Sequence, residues 1–216
     1  MADYSVEELN LSSNGITTLK DINFYTKLKK LDCSYNKITS LDKLPSSLIY
    51  LDCDKNSITN LNYLPISLTN LVCDHNNITD LDNLPINLKK LYCCCNKITS
   101  INHLPSSLIY LDCRYNKITS LDNLPSSLIY LDCNGNLITH LDNLPINLKE
   151  LNCGYNKLTK LDYLPISLTI LYCSYNQISH LDNLPNSLIY LNCSNNPFTY
   201  DFEPTLENIR KHKIYN

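Results

Sequence analysis

Cysteine, tyrosine and acidic side chains are the groups of this chain that could do chemistry, and their spacing is regular. The 216 residues include eleven cysteines, sixteen tyrosines and five histidines. Nine cysteines recur at one interval: Cys33, Cys53, Cys73, Cys93, Cys113, Cys133, Cys153, Cys173 and Cys193. Zinc would need a C-x-x-C pair or histidine at ligand spacing, and neither occurs. No metal and no cofactor is expected. Cys94 and Cys95 break the pattern by following Cys93 directly. If equivalent positions lie side by side, Cys95 neighbours His75 and Tyr115, and Cys94 neighbours Asp74 and Arg114. A thiol near His and Arg is expected to have a lowered pKa. Against a nucleophile stand the lack of an oriented third group and of a pocket, so both are read as exposed loop positions. No triad-like cluster and no paired catalytic carboxylates accompany them, and the chain is read as a non-enzyme.

Composition narrows the partners. Eighteen basic and 21 acidic residues leave a net charge of −3, which gives no electrostatic footprint for nucleic acid or an anionic membrane. Only Gly15, Gly135 and Gly154 are glycines, which excludes a glycine-rich phosphate loop. No apolar run approaches ~18 residues, so no membrane-spanning helix is expected. The acidic start, Met1 to Glu8, does not read as an export signal. The cysteines are therefore expected to be reduced thiols and the protein cytoplasmic.

The elements that position these groups come from one repeat. From Leu28 to Ser187 the pattern L-x-x-L-x-C-x-x-N-x-I-T-x-L-x-x-L-P-x-x recurs every 20 residues without insertion. The chain is expected to form a single domain over residues 1–216. An atypical 22-residue first copy spans 6–27, eight 20-residue copies span 28–187, and a partial copy spans 188–199. A short helical cap follows at 200–216, with Pro204 as its first helical residue and Leu206 and Ile209 on one face.

The repeat resembles the leucine-rich repeat superfamily, in register over residues 6–199. Its length and its Leu-Pro-x-x-Leu junction resemble the short repeat class of secreted bacterial effectors. Residues 6–27 are more like the 22-residue class of intracellular eukaryotic regulators. The Asn-, Ile- and Tyr-rich composition, with cysteine in the strand, is similar to repeat proteins of giant DNA viruses of the mimivirus group, a resemblance that implies a host cytoplasm or a virion as the setting. The resemblance implies a right-handed α/β-type solenoid, a horseshoe with a parallel sheet on its concave face and extended or turn segments on its convex face. Effectors of this class can carry a separate ubiquitin-ligase domain with a catalytic cysteine. This chain is expected to lack it and to be, at most, a truncated effector-like repeat domain.

The residues support the same architecture. One repeat buries too little apolar surface to offset the entropy of ordering it, so copies must stack. The L-x-C triplet has strand periodicity, and stacked strands lie ~4.8 Å apart. That spacing, with parallel Cβ vectors, argues against disulfides along the cysteine column, which want Cβ atoms ~3.5–4.5 Å apart. Proline keeps the opposite side extended or turned. The asparagine column, Asn14 and then Asn36 to Asn196, is expected to satisfy the backbone of the turn after each strand. The threonine column from Thr17 to Thr199 is expected to help.

Function in a solenoid belongs to its variable columns. Ten tyrosines lie in the columns that flank the strand. The densest neighbourhood is Tyr92, Tyr110, Asp112, Arg114, Tyr115, Tyr130 and Asp132, and a second comprises Tyr155, Tyr172, Tyr175 and Tyr190. Tyrosine and arginine are enriched at interface hot spots. Asp112 and Asp132 place like charges on adjacent strands, and an unpaired acidic column suits a basic partner. The expectation is a concave protein-binding surface, with small-molecule or glycan recognition on the same face as the alternative. Duplication is a competing explanation for the tyrosines, because Leu-Pro-Ser-Ser-Leu-Ile-Tyr-Leu-Asp-Cys stands unchanged at 44–53, 104–113 and 124–133. A second acidic column (Asp42, Asp82, Asp122, Asp142, Asp162 and Asp182) reads as a solvated face or turn caps.

Overall fold

A computed structural model describes residues 4–213. The ends of the expected domain, 1–3 and 214–216, lie outside the described residues. Among the described residues there are ten three-residue strands: β1 (Glu8–Asn10), β2 (Lys30–Asp32), β3 (Tyr50–Asp52), β4 (Asn70–Val72), β5 (Lys90–Tyr92), β6 (Tyr110–Asp112), β7 (Tyr130–Asp132), β8 (Glu150–Asn152), β9 (Ile170–Tyr172) and β10 (Tyr190–Asn192). They form one parallel sheet in chain order. Equivalent residues pair across each step, as Leu111 with Leu131 and Asp112 with Asp132. The chain is thus the expected horseshoe solenoid.

Alternation along each strand sets its faces. The central leucines Leu31 to Leu171 are fully buried, and so are Cys33 to Cys173 two residues later. Leu28, Ile38 and Leu41 and their equivalents complete the core. All eleven cysteines are free. From Cys33 to Cys153 each thiol of the inward column donates to a carbonyl one coil on, for example Cys93 Sγ to Asp112 O at 3.3 Å. Burial pushes these thiols up, Cys33 to about 12. They are inert packing groups.

Each coil closes through polar ladders. Asn116 Nδ2 donates to the carbonyls of Cys93, Cys113 and Arg114 at 2.9–3.1 Å, and its Oδ1 accepts from Ile98 N–H at 2.9 Å. The threonines take no part in this ladder. Thr39, Thr59, Thr99 and Thr119 are exposed, because they point away from the interior just after a buried isoleucine. A serine ladder that the repeat pattern did not reveal does more. Ser47, Ser67, Ser107, Ser127, Ser167 and Ser187 each donate to the carbonyl of a core leucine in the preceding coil. Every proline of the repeat closes a turn by accepting at 3.0–3.2 Å from the leucine N–H three residues on. In the first copy Tyr25 O replaces the proline carbonyl, and the two extra residues are absorbed by a 3-10 turn at Ile22–Phe24.

The carboxyl end is covered by α1 (Leu206–Lys213). Ile209 is buried, and Leu206 packs on the core. The helix starts later than the proline rule indicated. Thr205 is the N-cap, its Oγ1 accepting from Asn208 N–H at 3.1 Å, and Pro204 precedes it. Pro204 O instead accepts the last thiol of the ladder, Cys193 Sγ. Arg210 Nη2 donates to Leu188 O at 2.8 Å and to Asn186 O at 3.2 Å, and so satisfies carbonyls that no further coil covers. Among the described residues, no helix is long and apolar enough to cross a membrane.

Candidate functional site

The residues before and after each central leucine stand on the outer face of the sheet. Register places the same column on neighbouring strands, so aromatic side chains there must stack. Tyr110 and Tyr130 do so with ring centroids 4.2 Å apart and planes within 1°. Tyr92 comes from the other outward column and meets Tyr110 diagonally at 4.8 Å and 37°. The three rings form one continuous strip across β5, β6 and β7. Burial pushes the Tyr110 and Tyr130 hydroxyls up, which keeps them protonated donors at neutral pH.

Beside this strip, Arg114 folds back over its own strand. Its Nη2 lies 2.7 Å from Asp112 Oδ2 and its Nε 2.9 Å from Asp112 Oδ1. Nε also approaches Asp132 Oδ2 at 3.7 Å. Asp132 further accepts from Asn134 N–H and from Asn152 Nδ2, both at 3.1 Å. Asp112 and Asp132 are only 3% and 5% exposed. The acidic column was expected to be unpaired here, and that expectation is corrected. Arginine two residues after Asp112 reaches both carboxylates, so the pair presents a guanidinium edge rather than bare negative charge. Desolvation still raises the Asp132 carboxyl to about 6.

The second tyrosine neighbourhood divides into two pairs. Tyr155 and Tyr175 stack at 4.1 Å in the turn after the strand, while Tyr172 and Tyr190 meet diagonally at 5.2 Å on the sheet. Tyr115 belongs to the turn column and lies over Gly135, where an added Cβ would stand 2.6 Å from Tyr115 Cδ1. The turn column has positive φ throughout, including Tyr115 (51°), Tyr155 (51°) and Tyr175 (55°). These rings therefore stand on strained but repeated turns.

Cys94 and Cys95 also differ from expectation. Cys94 is buried at 7% exposure, and only Cys95 is partly exposed. Burial raises the Cys94 thiol rather than lowering it. The second acidic column is mostly exposed and capped by short contacts, such as Ser40 Oγ on Asp42 and His103 Nδ1 on Asp82.

One cleft escaped the sequence reading. A cavity of about 820 Å³ between the last coil and the cap is lined by His180, Asp182, Thr199, Tyr200, Phe202 and His212, among others. The signal was the alternation Phe198, Tyr200, Phe202, whose rings stack successively at 5.6 and 4.7 Å. Phe202 then stacks on His212 at 3.9 Å, so the ring faces are occupied by one another.

Comparison with known proteins agrees with this geometry. A family model for leucine-rich repeats in two copies matches residues 5–46. YopM from Yersinia enterocolitica is 34% identical over 84% of this chain, with a TM-score of 0.72, and the chain spans 45% of that protein. A Shigella effector leucine-rich repeat domain is 30% identical with a TM-score of 0.64, covering 72% of this chain and 71% of that one. A functional domain of InlJ from Listeria monocytogenes, which includes a cysteine ladder, is 25% identical with a TM-score of 0.54, over 90% of this chain and 64% of that one. No curated protein sequence matches. With its in-register leucine and asparagine columns and these relatives, the chain belongs to the leucine-rich repeat proteins.

Proposed function

We propose that the chain is a non-enzymatic recognition module that binds a protein partner on the outer face of its sheet. The observation that carries this reading is the strip of Tyr92, Tyr110 and Tyr130 beside Arg114. The strip is rigid, amphipathic and half-buried, with hydroxyls able to donate, which is the character of an interface anchor. Asp112 and Asp132 serve by holding the guanidinium. Tyr115, Tyr155 and Tyr175 extend the surface along the turn column, and Tyr172 and Tyr190 extend it along the sheet. The partner's complementary patch would combine apolar groups with acceptors. A net charge of −3 favours neither nucleic acid nor an anionic membrane. Eleven free thiols suit a reducing compartment, consistent with a cytoplasmic setting.

Glycan or small-molecule recognition on this face is the weaker reading. A sugar needs an open ring face, and Tyr110 and Tyr130 cover one face of each other. The test is capture of partners by the wild type and by a variant with Tyr110, Arg114 and Tyr130 all changed to Ala. The proposal expects at least one protein to be lost from the variant. Unchanged capture would refute it, and glycan-array binding abolished by the same variant would replace it.

A further inference from the structure

Cys94 and Cys95 are the two thiols outside the inward ladder, and their sulfurs lie 3.1 Å apart. Their backbone is fixed on both sides. Cys94 N–H donates to Asp74 Oδ1 at 2.6 Å, and Cys95 N–H donates to Arg114 O at 2.9 Å. Cys94 O accepts from His75 N–H at 2.9 Å and from Asn96 Nδ2 at 3.2 Å. The two thiols therefore share one site by construction of the turn. Of the other nine, Cys33 to Cys173 are fully buried and Cys193 is tied by its thiol to Pro204 O in the cap.

Such a pair is poorly suited to a direct disulfide. Adjacent residues hold their Cα atoms ~3.8 Å apart, below the ~4.4 Å lower end for an unstrained bridge. A strained bridge is readily reduced. An atom inserted between the sulfurs removes that constraint, since the sulfurs need not approach the ~2.05 Å of a bond. We propose that Cys94 and Cys95 form a chelating dithiol site for a monosubstituted trivalent arsenical, on the sheet side of the central coils. Cys95, the more exposed, adds first to the As=O group of an arsenoxide, and its thiol proton passes to the oxygen. Cys94 then displaces the resulting hydroxide, which leaves with the Cys94 proton as water. Two S–H bonds are replaced by two As–S bonds, one water is released, and arsenic remains trivalent, so no oxidant or reductant is required. Burial raises the Cys94 thiol, which fits its role in the second, intramolecular step, where effective concentration is high.

The experiment is intact-mass analysis of the folded protein after phenylarsine oxide at neutral pH. A monothiol wash follows, which strips singly bonded arsenic. One adduct per chain is expected to survive, with the mass of the reagent less one water. It should be removed by a small dithiol and map to the peptide containing Cys94 and Cys95. Retention should fall at least tenfold in Cys95→Ser and in Cys94→Ser. Cys95→Ser alters only the partly exposed thiol, so its unchanged circular dichroism and melting keep the test valid if Cys94→Ser misfolds. No surviving adduct on the wild type, an adduct mapping elsewhere, or full retention in Cys95→Ser would overturn the site.

Discussion

The amino-terminal part of the sheet face carries Asp32, Asp52, Asp54 and Asp74, while the central part carries Asp112 and Asp132. Asp32 and Asp52 share the column of Asp112 and Asp132, and Asp54 and Asp74 share the column of Arg114, so equivalent positions reach different electrostatic states. In the centre, Arg114 bridges the acids of two strands. In the amino-terminal part, the local cations are engaged elsewhere. Lys30 pairs with Glu8 at 2.6 Å, and Lys55 bonds Tyr35 Oη at 2.8 Å while lying over its ring. Asp54 Oδ1 is buried without a hydrogen-bond partner. Asp52 and Asp74 are shifted upward by burial, Asp74 to about 6. One residue in one column thus decides whether a stacked acid pair has a bridging cation or is held without one.

The largest expected effect comes from breaking the paired half. Arg114→Ala leaves Asp112 and Asp132 buried on adjacent strands without their cation. Truncating one member of a buried pair costs about 3–5 kcal/mol, and the half-exposed guanidinium places this case lower, at about 2–3 kcal/mol. Chemical denaturation should show that loss, and a change below about 0.5 kcal/mol would mean that the ion pair is dispensable.

The converse substitution sharpens the comparison. Asp54→Arg puts a guanidinium two residues after Asp52, as Arg114 stands after Asp112, and removes the orphaned carboxylate oxygen. A gain of about 1–2 kcal/mol is expected from a charge-assisted pair in place of an unsatisfied acid. A loss would show that the turn at 53–56 does not let arginine fold back over its strand.

The aromatic strip is the other property that separates the centre. Asparagine already stands in the Tyr130 column at Asn70, so Tyr130→Asn keeps a residue type that the coil accepts. Loss of the stack on Tyr110 should cost about 0.5–1.5 kcal/mol, measurable in the same denaturation assay. Tyr63→Asn removes an 82% exposed ring with no stacked neighbour among the described residues and should be neutral by comparison.

Legibility in the sequence followed the same division. The interior was readable because stacking gives every twentieth side chain one environment, and leucine, cysteine and asparagine each have one physical use there. The sheet and its register followed from that. The outer face was readable only as columns. Whether Arg114 reaches Asp112 or solvent depends on its rotamer and on what Asn134 and Asn152 offer nearby, which no periodicity encodes. Tyr155 and Tyr172 look like neighbours in sequence, yet they join different partners because one sits in the turn and the other on the strand. The cap was foreseen as a helix, but its start was set by the Thr205 hydroxyl rather than by the proline. The serine ladder was hidden because asparagine interrupts its column at Asn87 and Asn147.

The last expected effect is a pH dependence, and its sign is opposite to that of an ion-paired carboxylate. Asp74 and Asp132 are raised to about 6 in the folded chain, chiefly by desolvation. An aspartate in the unfolded chain titrates near ~3.9. Between those values the folded protein holds protons that the unfolded chain has released, so stability is greatest at the acidic side of the window and falls as pH rises toward 6. Melting temperature measured from pH 4 to 7 should therefore decline. Asp74→Asn should flatten that decline by removing the amino-terminal contribution. In Arg114→Ala the decline should extend to higher pH, because the guanidinium adds to the Asn134 N–H in holding the Asp132 carboxyl down against its burial. Identical pH profiles for the wild type and both variants would mean that the two halves of the face do not differ in the way their acids are held.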